Sequence, residues 1–226
     1  MGPNPTGRHV DPCDAAVSEA LTTAVSALSR WAKADDSVTF VAIDGPGASG
    51  KTTVAEKLRA ATGVSVVHTD DFFIGRALSA PAGPGVGPTS GVQANRDERG
   101  LLLGRYYDVA RMRCDALEPL RARRLAVFQA FDWDIGDLTG SETRAEPGDL
   151  ILLEGVYSSA PELGDIVGRS IYVDTDEPER LRRLHNLIAP ADWDDDWLAA
   201  ERDYFARVRP VESFDLVVSG NERVWL

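Results

Sequence analysis

Two patterns of apolar positions run along this chain, and one gives way to the other near Val38. Before that point Val17, Ala20, Leu21, Ala24, Val25, Leu28 and Trp31 recur at three- and four-residue steps, the spacing of one helix face. Asp11-Pro12 supplies an N-cap followed by proline at the first helical position. The spacing therefore predicts an amphipathic helix over 12–33, lying against the rest of the molecule. Residues 1–10, rich in Pro, Gly and polar groups, read as a tail. Beyond Val38 short unbroken apolar runs take over: VTFVAI (38–43), VSVVH (64–68), LILLE (150–154), SIYVD (170–174) and DLVVS (215–219). Runs without alternation are strands buried on both faces, and strands separated by helices pair in parallel. Helices are predicted over 51–62, 108–123, 176–188 and 194–208; the third opens on Asp176 with Glu179 three residues later, a capping-box arrangement. The expected architecture is α/β, a parallel sheet with helices on both faces. Its division is a tail and amphipathic helix over 1–35 and one main domain over 36–226. SAPAGPGVGPTSG (79–91) fits no regular element and is expected to be a flap near the site or plain disorder.

Charge changes the picture by exclusion. A formal net charge of −12 argues against nucleic acid and anionic membrane as partners, since both reward surplus Lys and Arg. Cys13 and Cys114, far apart and in no metal-type spacing, read as unpaired thiols of a reducing compartment. No apolar run approaches the ~20 residues of a membrane helix, and the N-terminus lacks a signal-peptide layout, so a cytoplasmic protein is expected. A homo-oligomer is compatible with these features, although no exposed apolar stripe demands one.

Candidate chemistry begins after the first predicted strand. Gly45, Pro46, Gly47, Ala48, Ser49, Gly50, Lys51 and Thr52 match G-x-x-x-x-G-K-[ST], with a strand before them and a helix after, the setting in which this motif cradles phosphate. Backbone N–H groups turn inward there, and the helix N-terminus, which includes Thr53, adds positive potential. Lys51 would reach the β- and γ-phosphates of ATP, and the Thr52 hydroxyl would ligate Mg²⁺. Asp70 and Asp71 close the second predicted strand, at the sheet edge where open α/β folds bind ligands. Adjacent side chains at a strand end point to opposite sides, so one of them faces the phosphate. Asp70 is chosen, as general base and metal neighbour. Glu154, ending LILLE beside Gly155, is the second carboxylate suited to Mg²⁺. None of the histidines, His9, His68 and His185, belongs to a triad or metal cluster, and none is given a catalytic role.

Taken together, IDGPGASGKTT (43–53), HTDDFF (68–73), FDWD (131–134), LLEGVYSS (152–159), YVDTDEPERLRR (172–183) and YFARVRP (204–210) resemble the uridine kinase-like and phosphoribulokinase-like branch of the P-loop small-molecule kinases. The resemblance runs through most of residues 38–219 and implies a P-loop NTPase-type sheet with a helical lid. It implies transfer of the γ-phosphoryl of ATP to a hydroxyl, in uridine kinases the ribose 5′-OH. Asp70 looks like the base, with Thr52 and Glu154 around the metal. Phe131, Asp132 and Trp133 fall where that family's nucleoside pocket carries an aromatic–Asp–aromatic segment, although aromatic residues in such a stretch are as often core. Asp108, in GRYYDVARM (104–112), is the carboxylate nearest the family's acceptor-sugar segment, which is otherwise absent. Arg180, Arg182 and Arg183 begin the lid helix by the same likeness, and Arg183 is taken as the one that binds substrate. After them RRLHNLIAPADWDDDW (182–197) is acidic where the family carries cations; Arg207 and Arg209 are alternative sources of that charge. Three readings follow: a kinase for a nucleoside such as uridine or cytidine, a kinase for another small alcohol, and a nucleotide-binding regulatory protein without transfer activity.

Overall fold

The computed structural model describes residues 12–32, 37–74, 103–187 and 195–221. The tail, the Gly/Pro-rich segment at 79–91 and the acidic residues 188–194 lie outside the described residues. All five apolar runs form strands: β1 (Thr39–Asp44), β2 (Ser65–His68), β7 (Leu150–Glu154), β8 (Val167–Asp174) and β9 (Leu216–Ser219). They make one five-stranded sheet in the order β2-β7-β1-β8-β9, with every neighbouring pair parallel.

Alternation of side chains across each strand builds a core on either face. Phe40, Ile151, Leu153 and Val67 point to one side, where Tyr106, Met112, Leu117, Tyr157 and Tyr204 cover them. Val41, Ile43, Leu152 and Ile171 point to the other, against Val54, Ala55 and Leu58 of helix α2 (Lys51–Thr62). Ala24 and Leu28 of helix α1 (Pro12–Trp31) join that second core, which is where its apolar face is buried. Central strands β1 and β7 are covered on both sides, which is why their sequences run apolar without a break.

Between β2 and β7 the chain forms α3 (Leu103–Tyr106) and α4 (Val109–Arg111), widens into a π-helical stretch (Met112–Leu117), and closes with α5 (Glu118–Arg121). Two short antiparallel ladders then appear that the apolar pattern did not predict. Strand β3 (Ala126–Phe128) pairs with β6 (Thr143–Ala145), and β4 (Phe131–Asp132) with β5 (Asp137–Leu138). With two or three residues each, these strands are too short to show a period. Helix α6 (Glu177–Leu187) follows β8, and α7 (Asp195–Asp203) continues as a π-helical stretch, Tyr204–Val208. No helix among the described residues is long and apolar enough to cross a membrane.

Parallel register aligns the carboxyl ends of three strands. His68 of β2 pairs with Glu154 of β7, Glu154 pairs with Ile43 of β1, and Asp44 follows at once. This edge holds the site.

Candidate functional site

The turn from β1 into α2 is anchored below by Asp44, which is fully buried. Its oxygens accept from Gly45 N at 2.8 Å, Tyr157 N at 3.0 Å, Ser159 N at 3.1 Å, Ser159 Oγ at 2.6 Å and Tyr204 Oη at 3.0 Å. Burial raises the Asp44 pKa, and the Ser159 and Gly45 donors and Lys51 act against that rise. The carboxylate thus ties the start of the phosphate loop to the turn after β7. That turn is tight: Gly155 has φ +144°, and a Cβ there would lie 1.8 Å from Thr69 Oγ1. Glu154-Gly155 can therefore approach the end of β2 closely only because the second residue has no side chain.

Lys51 is buried at the mouth of the loop and donates to Pro46 O at 3.0 Å. Thr52 Oγ1 lies 3.3 Å from Glu154 Oε1, and the other carboxylate oxygen of Glu154 is 2.6 Å from His68 Nδ1. The histidine is thus more than a buried strand residue, as its sequence position had implied. That hydrogen bond is the largest cause of a raised His68 pKa, and it fixes how Glu154 faces Thr52. Thr53 is solvent-accessible on the first turn of α2.

Asp70 and Asp71 do not alternate across a strand end. They sit in one 3₁₀ turn, Thr69–Phe72, so the strand argument used to separate them does not apply. Their surroundings do separate them. Asp70 is reachable from solvent and accepts from Tyr107 Oη at 3.1 Å. Desolvation raises its pKa first, the charge of Glu154 next, and Lys51 opposes both. The Asp71 pKa is also raised by burial, with His68 and Arg111 opposing. Burial and the Asp70 charge raise the Tyr107 pKa, so its hydroxyl remains a donor.

The three lid arginines part company. Arg182 is exposed and pairs with Glu179 at 2.8 Å. Arg183 is buried and donates to Gly220 O at 2.9 Å and Glu179 Oε1 at 2.9 Å, bracing α6 against the end of β9. Arg183 Nη1 also lies against the glycine-rich loop, 3.3 Å from where a Cβ on residue 50 would stand. Arg180 reaches the same loop from the other side of the helix turn, with Nη1 3.4 Å from Gly47 O. Arg209 is engaged elsewhere, with Ser159 and Ser170, and Arg207 pairs on the surface with Asp203.

Of the residues expected to meet the acceptor, Phe131 and Trp133 meet Phe73 with ring centroids 5.2 and 4.5 Å away. Trp133 stays 61% exposed, so this is an open aromatic wall rather than core. Asp132 and Asp108 are both committed locally. Asp132 Oδ1 accepts from Asp134 N at 2.9 Å, and Asp108 Oδ1 caps α4 through Arg111 N at 2.9 Å.

No protein-family model matches the sequence, and no curated protein matches it. Solved structures do. A possible uridine kinase from Bacillus stearothermophilus superposes with a TM-score of 0.60 at 20% identity, over 89% of this chain and 98% of that one. A candidate fructose transport system kinase from Silicibacter sp. TM1040 gives 0.56 at 21% identity, over 87% and 98%. The D-glycerate 3-kinase from Cryptococcus neoformans var. grubii gives 0.50 at 17% identity, over 90% and 95%. The fold is that of the P-loop small-molecule kinases. Sequence reasoning nevertheless passed over Asp44, His68, Tyr107 and Glu201. Asp44 and Glu154 both end apolar strands before a glycine, a signal that was used for the second and overlooked for the first.

Proposed function

We propose that this protein is an ATP-dependent, Mg²⁺-assisted kinase that phosphorylates a hydroxyl on a small molecule, a nucleoside such as uridine or cytidine being the leading acceptor. The observation that carries the reading is the convergence at one sheet edge of Lys51, Thr52, Glu154 and Asp70. Thr52 lies 3.3 Å from Glu154, and both Glu154 and Lys51 act on the Asp70 carboxyl. The fold, shared with proteins named as kinases of small molecules, supports the same class.

Magnesium suits the donor set. It takes hard oxygen ligands and is held by one or two carboxylates together with substrate phosphates. Thr52 and Glu154 would hold it, with Asp70 beside them, and bound there it would neutralise charge on the phosphate oxygens. Asp70 would then accept the acceptor's hydroxyl proton as the oxygen attacks. Its raised pKa makes it a better base than an ordinary aspartate, and Tyr107 fixes its direction. Arg180 would stabilise charge on the transferred group. The exposed face of Trp133, with Phe131 and Phe73 behind it, offers a stacking surface for a base.

A second reading, a kinase for another small alcohol, draws on Asp132 and Asp108. One oxygen of each, Oδ1, accepts from local backbone, which leaves Oδ2 to meet an acceptor hydroxyl of either kind. In either case the partners are ATP and a small acceptor, without nucleic acid or membrane, in keeping with the −12 charge and a cytoplasmic setting.

An ADP-release assay with Mg·ATP against nucleosides, sugars and pantothenate-like alcohols tests the proposal. Release that depends on uridine or cytidine is expected. Release with a different alcohol alone would keep the kinase and remove the nucleoside. Tight ATP binding with no release on any acceptor would favour a regulatory nucleotide-binding protein.

A further inference from the structure

Glu201 has no part in the chemistry above, yet its carboxylate lies on the phosphate loop. It projects from α7 and is only 2% exposed. Oε1 accepts from Gly47 N at 3.0 Å and from Trp197 Nε1 at 2.5 Å. Oε2 has no hydrogen-bond partner among the described residues and faces Arg180 Nη1 at 3.8 Å. The approach is close: a Cβ on residue 47 would lie 3.0 Å from Oε1 and would push the carboxylate back by a few tenths of an ångström. Lys51, whose ammonium such a loop directs at the β- and γ-phosphates, also acts on this carboxylate.

These contacts describe an anion seat. An inward-turned amide, a lysine and an arginine are the donors a phosphate would use; the carboxylate takes the amide, faces the arginine and lies within the field of the lysine. Buried charge is tolerated only when paired, and here the pairing comes from groups that ATP also needs. We propose that Glu201 competes with the terminal phosphate of ATP for the Gly47 amide and Arg180, and so acts as a positioning residue that distinguishes ATP from ADP. This rests on the kinase reading of the phosphate loop and extends it. Two anions cannot share the seat, so the arriving γ-phosphate displaces the carboxylate and takes over Arg180. ADP has no group to do so and leaves Glu201 in place. Displacement also breaks the Trp197 hydrogen bond. The Trp197 ring lies 6.5 Å from that of Tyr107, the phenol that donates to Asp70, so the arrival of ATP is felt beside the base.

The test is Mg·ATP and Mg·ADP titration of the full-length wild type, Glu201→Gln and Trp197→Phe, followed by tryptophan emission and calorimetry. Glutamine keeps the shape and an acceptor oxygen while removing the charge. Glu201→Gln should tighten Mg·ATP about tenfold, from removed charge repulsion, and change Mg·ADP less than about twofold. Wild-type emission should shift with ATP and not with ADP, and the shift should vanish in Trp197→Phe. Equal changes for both nucleotides, or weaker ATP binding in Glu201→Gln, would overturn the proposal. If Glu201→Gln fails to fold, an equal wild-type emission response to ATP and ADP overturns it alone. Failure of both nucleotides to bind the wild type would bring down the phosphate-loop reading itself, a distinct result.

Discussion

Around Lys51 the site is made of backbone and of carboxylates engaged by named donors, whereas around Trp133 the surface is made of aromatic faces on and beside a two-residue strand. Asp44 alone accepts five hydrogen bonds beneath the phosphate loop. On the other side the aromatic side chains are half-open, and the nearby carboxylates Asp108 and Asp132 each give one oxygen to their own turn. On the proposed function, the first construction would hold a polyphosphate and the second would meet the acceptor; the ladders that carry the second pair with each other and not with the five-stranded sheet. The two proposed tasks thus rest on different structural materials.

If that contrast is right, substitutions on the two sides fail in different ways. The largest effect is expected from Lys51→Ala, which should weaken ATP binding and lower transfer together by about 10³-fold, the scale of a lost electrostatic stabiliser. Unchanged ATP affinity by calorimetry would remove the phosphate loop from the account. Asp70→Asn should lower turnover by ~10²-fold or more while leaving ATP affinity nearly intact. It should not lower the melting temperature. Because the folded pKa of Asp70 is raised, ionised Asp70 costs stability at neutral pH, and the amide removes that cost. For the same reason wild-type turnover should fall with acid at a pH above the ordinary aspartate range near ~4. Trp133→Ala should raise the acceptor KM by about 3- to 10-fold, the worth of one aromatic contact, with ATP affinity unaltered. A matching loss of ATP affinity would show that the two sides are not separable. The smallest effect belongs to His68→Gln. Its raised pKa means the pairing with Glu154 contributes fully below the ordinary histidine value of ~6.5 and fades as pH rises through the folded one. Melting curves of wild type and His68→Gln should differ by about 0.5–1 kcal/mol in mild acid, a figure reduced for partial exposure, and converge in alkali.

The same division explains what could be read from the amino acids alone. Strands β1 and β7 announce themselves because burial on both faces forces an unbroken apolar run, and the glycine-rich loop because its backbone takes positive φ at Gly45 and Gly50, just before Lys51 and Thr52. Glu154 was legible for the same reason: it ends such a run. The antiparallel ladders β3–β6 and β4–β5 were not, since two or three residues carry no period. What the sequence left open among Arg180, Arg182 and Arg183 was rotation. Three residues within one helical turn point in different directions, and the packed neighbours, Gly220 and Gly50 for Arg183 and Gly47 for Arg180, bring two of them to the loop while Arg182 stays on the surface. Glu201 was invisible because its partner lies 154 residues away, and nothing local marks a carboxylate that docks on a distant amide.

The central claim, transfer of a phosphoryl group to an alcohol at the Lys51–Asp70 edge, is tested most directly by ³¹P NMR of Mg·ATP with each responsive acceptor. Wild type should produce a new phosphomonoester resonance growing in step with ADP, and Asp70→Asn, still binding ATP, should produce it far more slowly. ATP converted only to ADP and inorganic phosphate, or a monoester formed at equal rates by both proteins, would contradict the account.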